Sequence, residues 1–393
     1  RLIMLPNSKW PVYSKSLADL SAKILLSGKV NYWTGMHGKI FEKEFSKKFK
    51  IKYSAAVSNG SIGLEIALMA LGIKSGDEVI VTSRSYYSSV SSIIRVGAKP
   101  VFADIDSKTM NISPISIKEN ITKNTKAIIC VHLYGMPCDM KLIQDLVKNK
   151  NIKIVEDCSQ AHGAEINSIK VGSFGDIAVW SFCNDKIIST GGEGGMISTN
   201  NKKLFNKVWS YKEIGKNLIK MKGVNNSSNF PYIHDFIGTN ARMTEIQSLI
   251  GRHQLRELGK FIKIRNLHAS ILTEALSNFR SIITPTHEKK LKHAFYRYTI
   301  ILNNKFLKKD YDREAIMKLL KSENIFCNVG GCPSIYKERF FIKNQIKPKN
   351  YLKNTNYIGK NSISFQVDQT ILKKDLILMV SKIIKVMNMA TKS

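Results

Sequence analysis

The chain has 393 residues, 43% of them hydrophobic, enough to bury a large core and to divide into two domains. Its 61 Lys+Arg against 30 Asp+Glu give a formal charge of +31. The lysines are scattered among Asn and Ile instead of forming a basic stripe interleaved with aromatics, so a compositional bias explains the charge better than nucleic-acid binding does. Some of the excess would still favour an anionic substrate. No run approaches the ~18 apolar residues of a membrane span. Six cysteines without a C-x-x-C pair read as reduced core thiols, and no metal site is expected. Arg1–Pro6 lacks the apolar stretch of a signal peptide, and a start without Met reads as a trimmed or processed chain. A soluble cytoplasmic protein is expected, with neither nucleic acid nor membrane as partner.

Along the chain, Ser14–Ser27 has a helical pattern. The stretch Asn31-Tyr32-Trp33-Thr34-Gly35 after it is a loop, either a surface clasp or a substrate contact. Phe41, Phe45 and Phe49 then mark one face of a helix. From Tyr53 onward strands and helices alternate. Strand-like runs fall at 54–57, 79–82, 99–103, 127–132, 152–155, 177–182 and 196–199, with helical patterns at 61–71, 88–96 and 140–148. Near-continuous apolar strands alternating with helices predict an α/β fold, a mostly parallel seven-stranded sheet covered on both faces. A long polar loop is expected over 212–231 and a long helix over 244–276. A smaller C-terminal α+β domain follows, with strands near 298–302 and 362–367. The boundary is set at 255/256, giving domains 1–255 and 256–393.

In such sheets ligands bind beyond the carboxyl ends of the strands. Three chemistry-bearing residues fall there: Asp157, Ser181 and Lys186. Lys186 follows an apolar strand and precedes Gly191-Gly192-Glu193-Gly194-Gly195, so it should project into a confined site. Burial there would lower its pKa and make it a nucleophilic amine. The commonest carbonyl cofactor for such an amine is pyridoxal 5'-phosphate (PLP), held as a Schiff base. Its pyridine nitrogen needs an acid, which Asp157 can supply, although a turn or cap role would also suit that residue. Its phosphate needs amides at a helix start, and Asn59-Gly60-Ser61 offers them. Its ring needs a cover, and Tyr86 in Ser85-Tyr86-Tyr87 is placed for one. Asp185, beside the lysine, would raise the lysine pKa if it faced inward; alternation along an extended segment predicts that it points away.

These motifs in this order resemble the DegT/DnrJ/EryC1/StrS aminotransferases, the sugar-aminotransferase branch of fold-type I PLP enzymes. The resemblance covers nearly the whole chain. It is strongest from Glu156 to Gly195 and continues through Gly238-Thr239-Asn240-Ala241-Arg242-Met243 and His293-Ala294-Phe295-Tyr296-Arg297-Tyr298. It implies that Lys186 is the Schiff-base lysine, Asp157 the partner of the pyridine nitrogen, and Gln160 a neighbour of the cofactor's phenolic oxygen. It also implies phosphate contacts from Gly60, Ser61 and Ser181, and a stacking ring at Tyr86. By the same resemblance Asn240 reaches the partner subunit's cofactor in a homodimer with shared sites, and His162 lines the sugar side. The implied reaction moves an amino group, with glutamate the expected donor, to a nucleotide-linked keto-sugar for surface glycan synthesis. The loop at Asn31–Gly35 and the run Ser181–Lys186 look like members that aminate C4 of a UDP- or dTDP-linked 4-keto-6-deoxyhexose. C3 amination of a dTDP-3-keto sugar is the alternative. The family's dehydratase branch has histidine in place of the lysine, so Lys186 weighs against it. A reading of another class, a basic nucleic-acid-binding or interaction protein on a PLP fold, is opposed by the intact Lys186, Asp157, Gln160 and Ser181.

Overall fold

The computed structural model describes residues 4–222, 232–286 and 288–392. The seven expected strands form as β1 (Tyr53–Val57), β2 (Glu78–Thr82), β3 (Lys99–Ala103), β4 (Thr125–Val131), β5 (Lys153–Asp157), β6 (Ile177–Ser181) and β7 (Gly195–Thr199). They assemble into one sheet in the order β1-β7-β6-β5-β4-β2-β3. β7 is antiparallel to both of its neighbours, and the remaining pairs are parallel. Every residue of β6 and β7 is buried, as the apolar runs require when helices cover both faces of a sheet.

Four helices matter for the site: α1 (Lys15–Leu26), α2 (His37–Phe49), α3 (Gly60–Ala70) and α4 (Ser88–Arg95). On α2 the i, i+4 spacing of Phe41, Phe45 and Phe49 turns all three rings into the core. Phe45 packs 5.3 Å from Trp180 and Phe41 5.5 Å from Phe182, both centroid to centroid. Each such ring contributes roughly 1.5–3 kcal/mol through its burial, which ties the N-terminal segment to β6 and the turn after it. Asn59 caps α3, its side chain accepting from the Ile62 amide at 2.9 Å. The amides of Gly60 and Ser61, in the first helical turn, have no carbonyl four residues earlier within the helix to take them.

The long helix forms as Glu245–Leu276, closed at its start by a capping box between Thr244 and Gln247. Leu255, Leu258 and Ile262 on it belong to the large core, whereas Ala269, Leu272 and Leu276 belong to a second core. The boundary expected at 255/256 therefore falls inside a continuous helix that serves both cores. The second core includes an antiparallel sheet of Ile282–Ile283, Tyr298–Leu302, Ser362–Phe365 and Cys327–Asn328. Leu5 pairs with Ile325 and joins that same core, so the chain's first described residues pack with its last third.

The expected 212–231 loop is corrected at its start. Lys212 ends a helix, Lys202–Lys212, and its buried ammonium donates to Glu42 Oε1 at 2.9 Å and to the Ala56 carbonyl at 3.1 Å. A lysine's polarity suggested solvent, but a carboxylate from α2 supplies the partner that makes burial tolerable. A short helix, Leu218–Lys222, follows, and residues 223–231 lie outside the described residues. Tyr32 and Trp33 clasp the protein itself: the Tyr32 hydroxyl donates to Glu42 Oε2 at 3.0 Å and Trp33 Nε1 to Glu213 Oε2 at 3.1 Å. Among the described residues, no helix is long and apolar enough to cross a membrane.

Candidate active site

A cavity of about 770 Å³ lies at the carboxyl ends of β2, β4, β5 and β6. Gly60, Ser61, Tyr86, Asp157, Gln160, Ser181 and Lys186 all line it, so residues from position 60 to position 186 meet at one place. Parallel strands deliver their ends to the same edge of a sheet, which is why residues far apart in sequence converge there.

Asp157 closes β5. Its Oδ1 accepts from the Ser159 amide at 3.1 Å and its Oδ2 from Ser89 Oγ at 2.9 Å. Ser89 in turn lies 2.9 Å from Ser85 Oγ. A carboxylate that collects donors in this way is held in one orientation. Gln160 is fixed by its Oε1, which accepts from the Tyr134 amide at 2.7 Å. Beneath them Glu156 is wholly buried and accepts amides from Gly172, Phe174 and Gly175 at 2.6–2.7 Å and bonds to His132 Nε2 at 3.0 Å. His132 Nδ1 accepts from the Cys138 amide, which places the ring proton on Nε2 facing Glu156.

At the other end, the start of α3 meets β6 and β7. A Cβ on Gly60 would stand 2.8 Å from the Ser181 side chain, and one on Gly195 would stand 2.7 Å from the Asn59 backbone. Only glycines allow this approach, and the result is a small concave wall of backbone amides and the Ser61 and Ser181 hydroxyls. Ser61 Oγ is 2.6 Å from Ser88 Oγ at the start of α4. Tyr86 is 66% exposed while lining the cavity.

Lys186 corrects two expectations. Residues 183–186 form a turn, closed by the Lys186 amide on the Cys183 carbonyl at 3.0 Å, and are not extended. Alternation therefore does not apply, and Asp185 turns inward: its Oδ1 lies 3.6 Å from Lys186 Nζ and it lines the same cavity. Burial pulls the lysine pKa down, but Tyr296, Asp185 and Cys183 act the other way and outweigh it, so the net shift is upward, opposite to expectation. Tyr296 and Arg297 complete this corner. The Tyr296 hydroxyl donates to Asp185 Oδ2, its ring lies 4.8 Å below Lys186 Nζ, and Arg297 is 3.6 Å from Asp185. Both sit in the His293–Tyr298 motif, yet nothing in that stretch assigned them to the lysine. Cys183 and Cys332 also line the cavity, half-buried, unlike the fully buried Cys130, Cys138 and Cys158.

His162 is the other correction. It does not line the cavity; its ring lies wholly buried 5.4 Å from Trp180 and 5.6 Å from Phe182. Burial, reinforced by the Lys186 charge, lowers its pKa to about 3, so it packs as a neutral ring. Asn240 is exposed and lies outside the lining of its own chain's cavity. Its segment runs beside the end of β1, with the Ser58 amide donating to the Ala241 carbonyl and Asn240 pairing with Glu213.

An amine, a hydrogen-bonded carboxylate, a helix start opened by glycines and an exposed aromatic ring around one cavity suit PLP. The fold and site define a fold-type I PLP-dependent enzyme. The chain belongs to the DegT/DnrJ/EryC1/StrS aminotransferase family, whose sequence model matches residues 15–384, and PLP is that family's cofactor. It is 36% identical over 334 residues to the GDP-perosamine synthase of Escherichia coli O157:H7, covering 84% of this chain and 88% of that protein. It is 35% identical over 316 residues to the dTDP-3-amino-3,6-dideoxy-alpha-D-galactopyranose transaminase of Aneurinibacillus thermoaerophilus, covering 80% of each. Among solved structures it resembles the aminotransferase from Psychrobacter cryohalolentis with a TM-score of 0.94 and 38% identity, over 97% of this chain and 98% of that one. The protein is a PLP-dependent aminotransferase of nucleotide sugars.

Proposed function

We propose that this enzyme takes an amino group from glutamate and places it on C4 of a UDP- or dTDP-linked 4-keto-6-deoxyhexose, supplying an amino sugar for surface glycans. The observation that carries the reading is the convergence of Lys186, Asp157 and the Gly60–Ser61 helix start on one cavity large enough for cofactor and sugar together. PLP supplies an electron sink for the bond-breaking at the donor's Cα. Asp157, fixed by Ser89 and Ser159, would hold the pyridine nitrogen; Gly60, Ser61 and Ser181 would hold the phosphate; Tyr86 would cover the ring, and Gln160 would serve the phenolic oxygen. Lys186 is the anchoring amine and, once freed, the base that takes the donor's Cα proton. Asp185 and Tyr296 hold its ammonium in place between these tasks. Asn240, exposed on each subunit, reaches the partner's phosphate site in a homodimer.

Amination at C3 is the second reading, favoured by the 35% identity to a transaminase named for a 3-amino product. Incubating the PLP-loaded enzyme with glutamate and a panel of 3-keto and 4-keto nucleotide sugars, with product identification by mass spectrometry and NMR, separates the two. Amination of a 4-keto substrate is expected. Turnover of 3-keto sugars alone would overturn the C4 reading, and turnover with glutamine but not glutamate would overturn the donor.

A further inference from the structure

A second cavity, of about 190 Å³, adjoins the active-site cavity, and Asp185, Tyr296 and Arg297 line both. Distant parts of the chain build it: Trp10 from the N-terminal segment, Asn184 from the turn before Lys186, and Gln366 from just beyond the strand Ser362–Phe365. Trp10 is tied to the lysine, its Nε1 donating to the Lys186 carbonyl at 2.8 Å. The charged groups in the wall balance, Arg265 and Arg297 against Asp185 and Asp368. Arg265 and Asp368 are buried and engaged, the first with Gln369 and two backbone carbonyls, the second with Ser8 and Thr370. Three polar side chains of the wall are free of such ties. Among the described residues, Asn184 and Gln366 make no side-chain hydrogen bond. Arg297 makes none either, and has only the 3.6 Å ion pair with Asp185 and the Tyr296 ring at 5.0 Å. Asn184 is exposed, Gln366 and Arg297 are half-buried, and their unbonded nitrogens and oxygens keep contact with solvent.

One exposed polar side chain needs no partner but water. Three around one concavity, beside the amine that does the chemistry, form a place where a ligand's polar groups are met. We propose that this cleft is the subsite for the sugar ring of the substrate, with Asn184, Arg297 and Gln366 reading the ring's polar substituents. The proposal rests on the reading that the substrate is a nucleotide-linked keto-sugar. Charge separates the sugar from the other substrate. Glutamate is a carboxylate at both ends, and here Asp185 and Asp368 already oppose the two guanidiniums, so an anion gains little net attraction. A sugar is neutral. Each of its hydroxyls both donates and accepts, which suits amide, guanidinium and carboxylate alike, and its C–H groups pack against an indole. The volume is that of about six waters at ~30 Å³ each, close to one six-membered ring with its substituents. Asp185 Oδ1, in the shared wall, stands 3.6 Å from Lys186 Nζ, so the cleft opens beside the reacting amine.

The test uses the PLP-loaded enzyme and compares wild type with Asn184→Ala, Gln366→Ala, the two combined, and the cleft-filling Gln366→Phe. The two halves of the reaction are read separately. Amino donor alone, glutamate or else glutamine, is added first, and the rate at which the visible cofactor band fades reads the donor half. Steady-state rates with the keto-sugars that wild type aminates then give KM and kcat. Each alanine variant is expected to raise the keto-sugar KM about 3- to 10-fold and the double variant about 10- to 100-fold, with Gln366→Phe at least as severe. The donor half and the PLP affinity should stay as in wild type. An unchanged keto-sugar KM in the double variant overturns the proposal. So does a slowed donor half beside an unchanged keto-sugar KM, which would give the cleft to the donor. Wild type that aminates no keto-sugar, with a normal donor half, would remove the substrate reading and the proposal with it. Should the variants fail to fold, calorimetry on wild type decides, using UDP-glucose against UDP, dTDP-glucose against dTDP and GDP-mannose against GDP. A sugar that adds no affinity for the base the enzyme uses overturns the proposal.

Discussion

Asp185 Oδ1 stands 3.6 Å from Lys186 Nζ, so the lysine proposed to anchor the cofactor rests against an acid of its own turn. Tyr296 donates to the same carboxylate, and the net effect raises the lysine pKa despite burial. The group must lose its proton to act as a nucleophile, so capture of PLP by cofactor-free protein should accelerate with rising pH into the alkaline range. Asp185→Asn should move that profile to lower pH, measured as the rate of visible absorbance gain after PLP is added. An unmoved profile would show that the carboxylate does not govern the amine. The linkage has a definite sign. A raised lysine pKa contributes stability that is full below the ordinary value of about 10.4 and lost as pH climbs through the folded value. Cofactor-free wild type should therefore lose more stability than Asp185→Asn above that range.

Lys186→Ala should keep the fold but lose the lysine-linked absorbance band and turnover together. A variant with wild-type turnover would remove Lys186 from the chemistry. The lost rate should reach several orders of magnitude, since both anchoring and proton transfer depend on the one amine.

Ser89→Ala removes one of the two donors to Asp157, leaving the Ser159 amide and the carboxylate in place. A hydrogen bond to a charged group is worth about 1.5–3 kcal/mol. The expected result is a drop in kcat of about 10-fold or somewhat more, with little change in folding stability. Asp157→Asn should cost far more, and equal effects from the two would contradict the supporting role given to Ser89.

Glu156→Ala should act on stability first. It strands the amide of Gly172 and the Nε2 proton of His132 in a buried site, and the amides of Phe174 and Gly175 in a half-buried one. At about 1–3 kcal/mol for each stranded donor, less what the structure relaxes, several kcal/mol should go. Urea unfolding followed by circular dichroism measures it.

If Asn240 completes the partner's site, co-expressed Lys186→Ala and Asn240→Ala chains should regain activity that neither has alone. A mixed dimer holds one site with Lys186 from one chain and Asn240 from the other. Random pairing gives about a quarter of wild-type activity. Recovery no greater than the Asn240→Ala residual would place Asn240 in its own chain's site.

The apolar runs and the i, i+4 phenylalanines were enough to read the sheet, α2 and the long helix, because hydrophobic period depends only on local sequence. That Lys186, Asp157, Gly60, Ser61, Tyr86 and Ser181 meet at one cavity was legible for a related reason, since strand ends of a parallel sheet fall on one edge whatever the side chains do; Gln160 was named only through the family resemblance. What lay out of reach were relations set by packing. Asp185 faces the lysine because 183–186 turns, and no alternation rule describes a turn. His162 sits against Trp180 and Phe182, where its polarity counts for less than its shape. Lys212 is buried because Glu42 arrives from α2, 170 positions away. Arg84 follows β2 in the sequence like any loop residue, and only the neutral groups of Tyr134, Val329 and Ser362, brought over it from distant parts of the chain, leave it a buried cation. Sequence determined the fold and the cofactor chemistry, since both rest on periodicity and strand ends. Tertiary structure decided which charges meet, because a charge's partner is chosen across space and not along the chain.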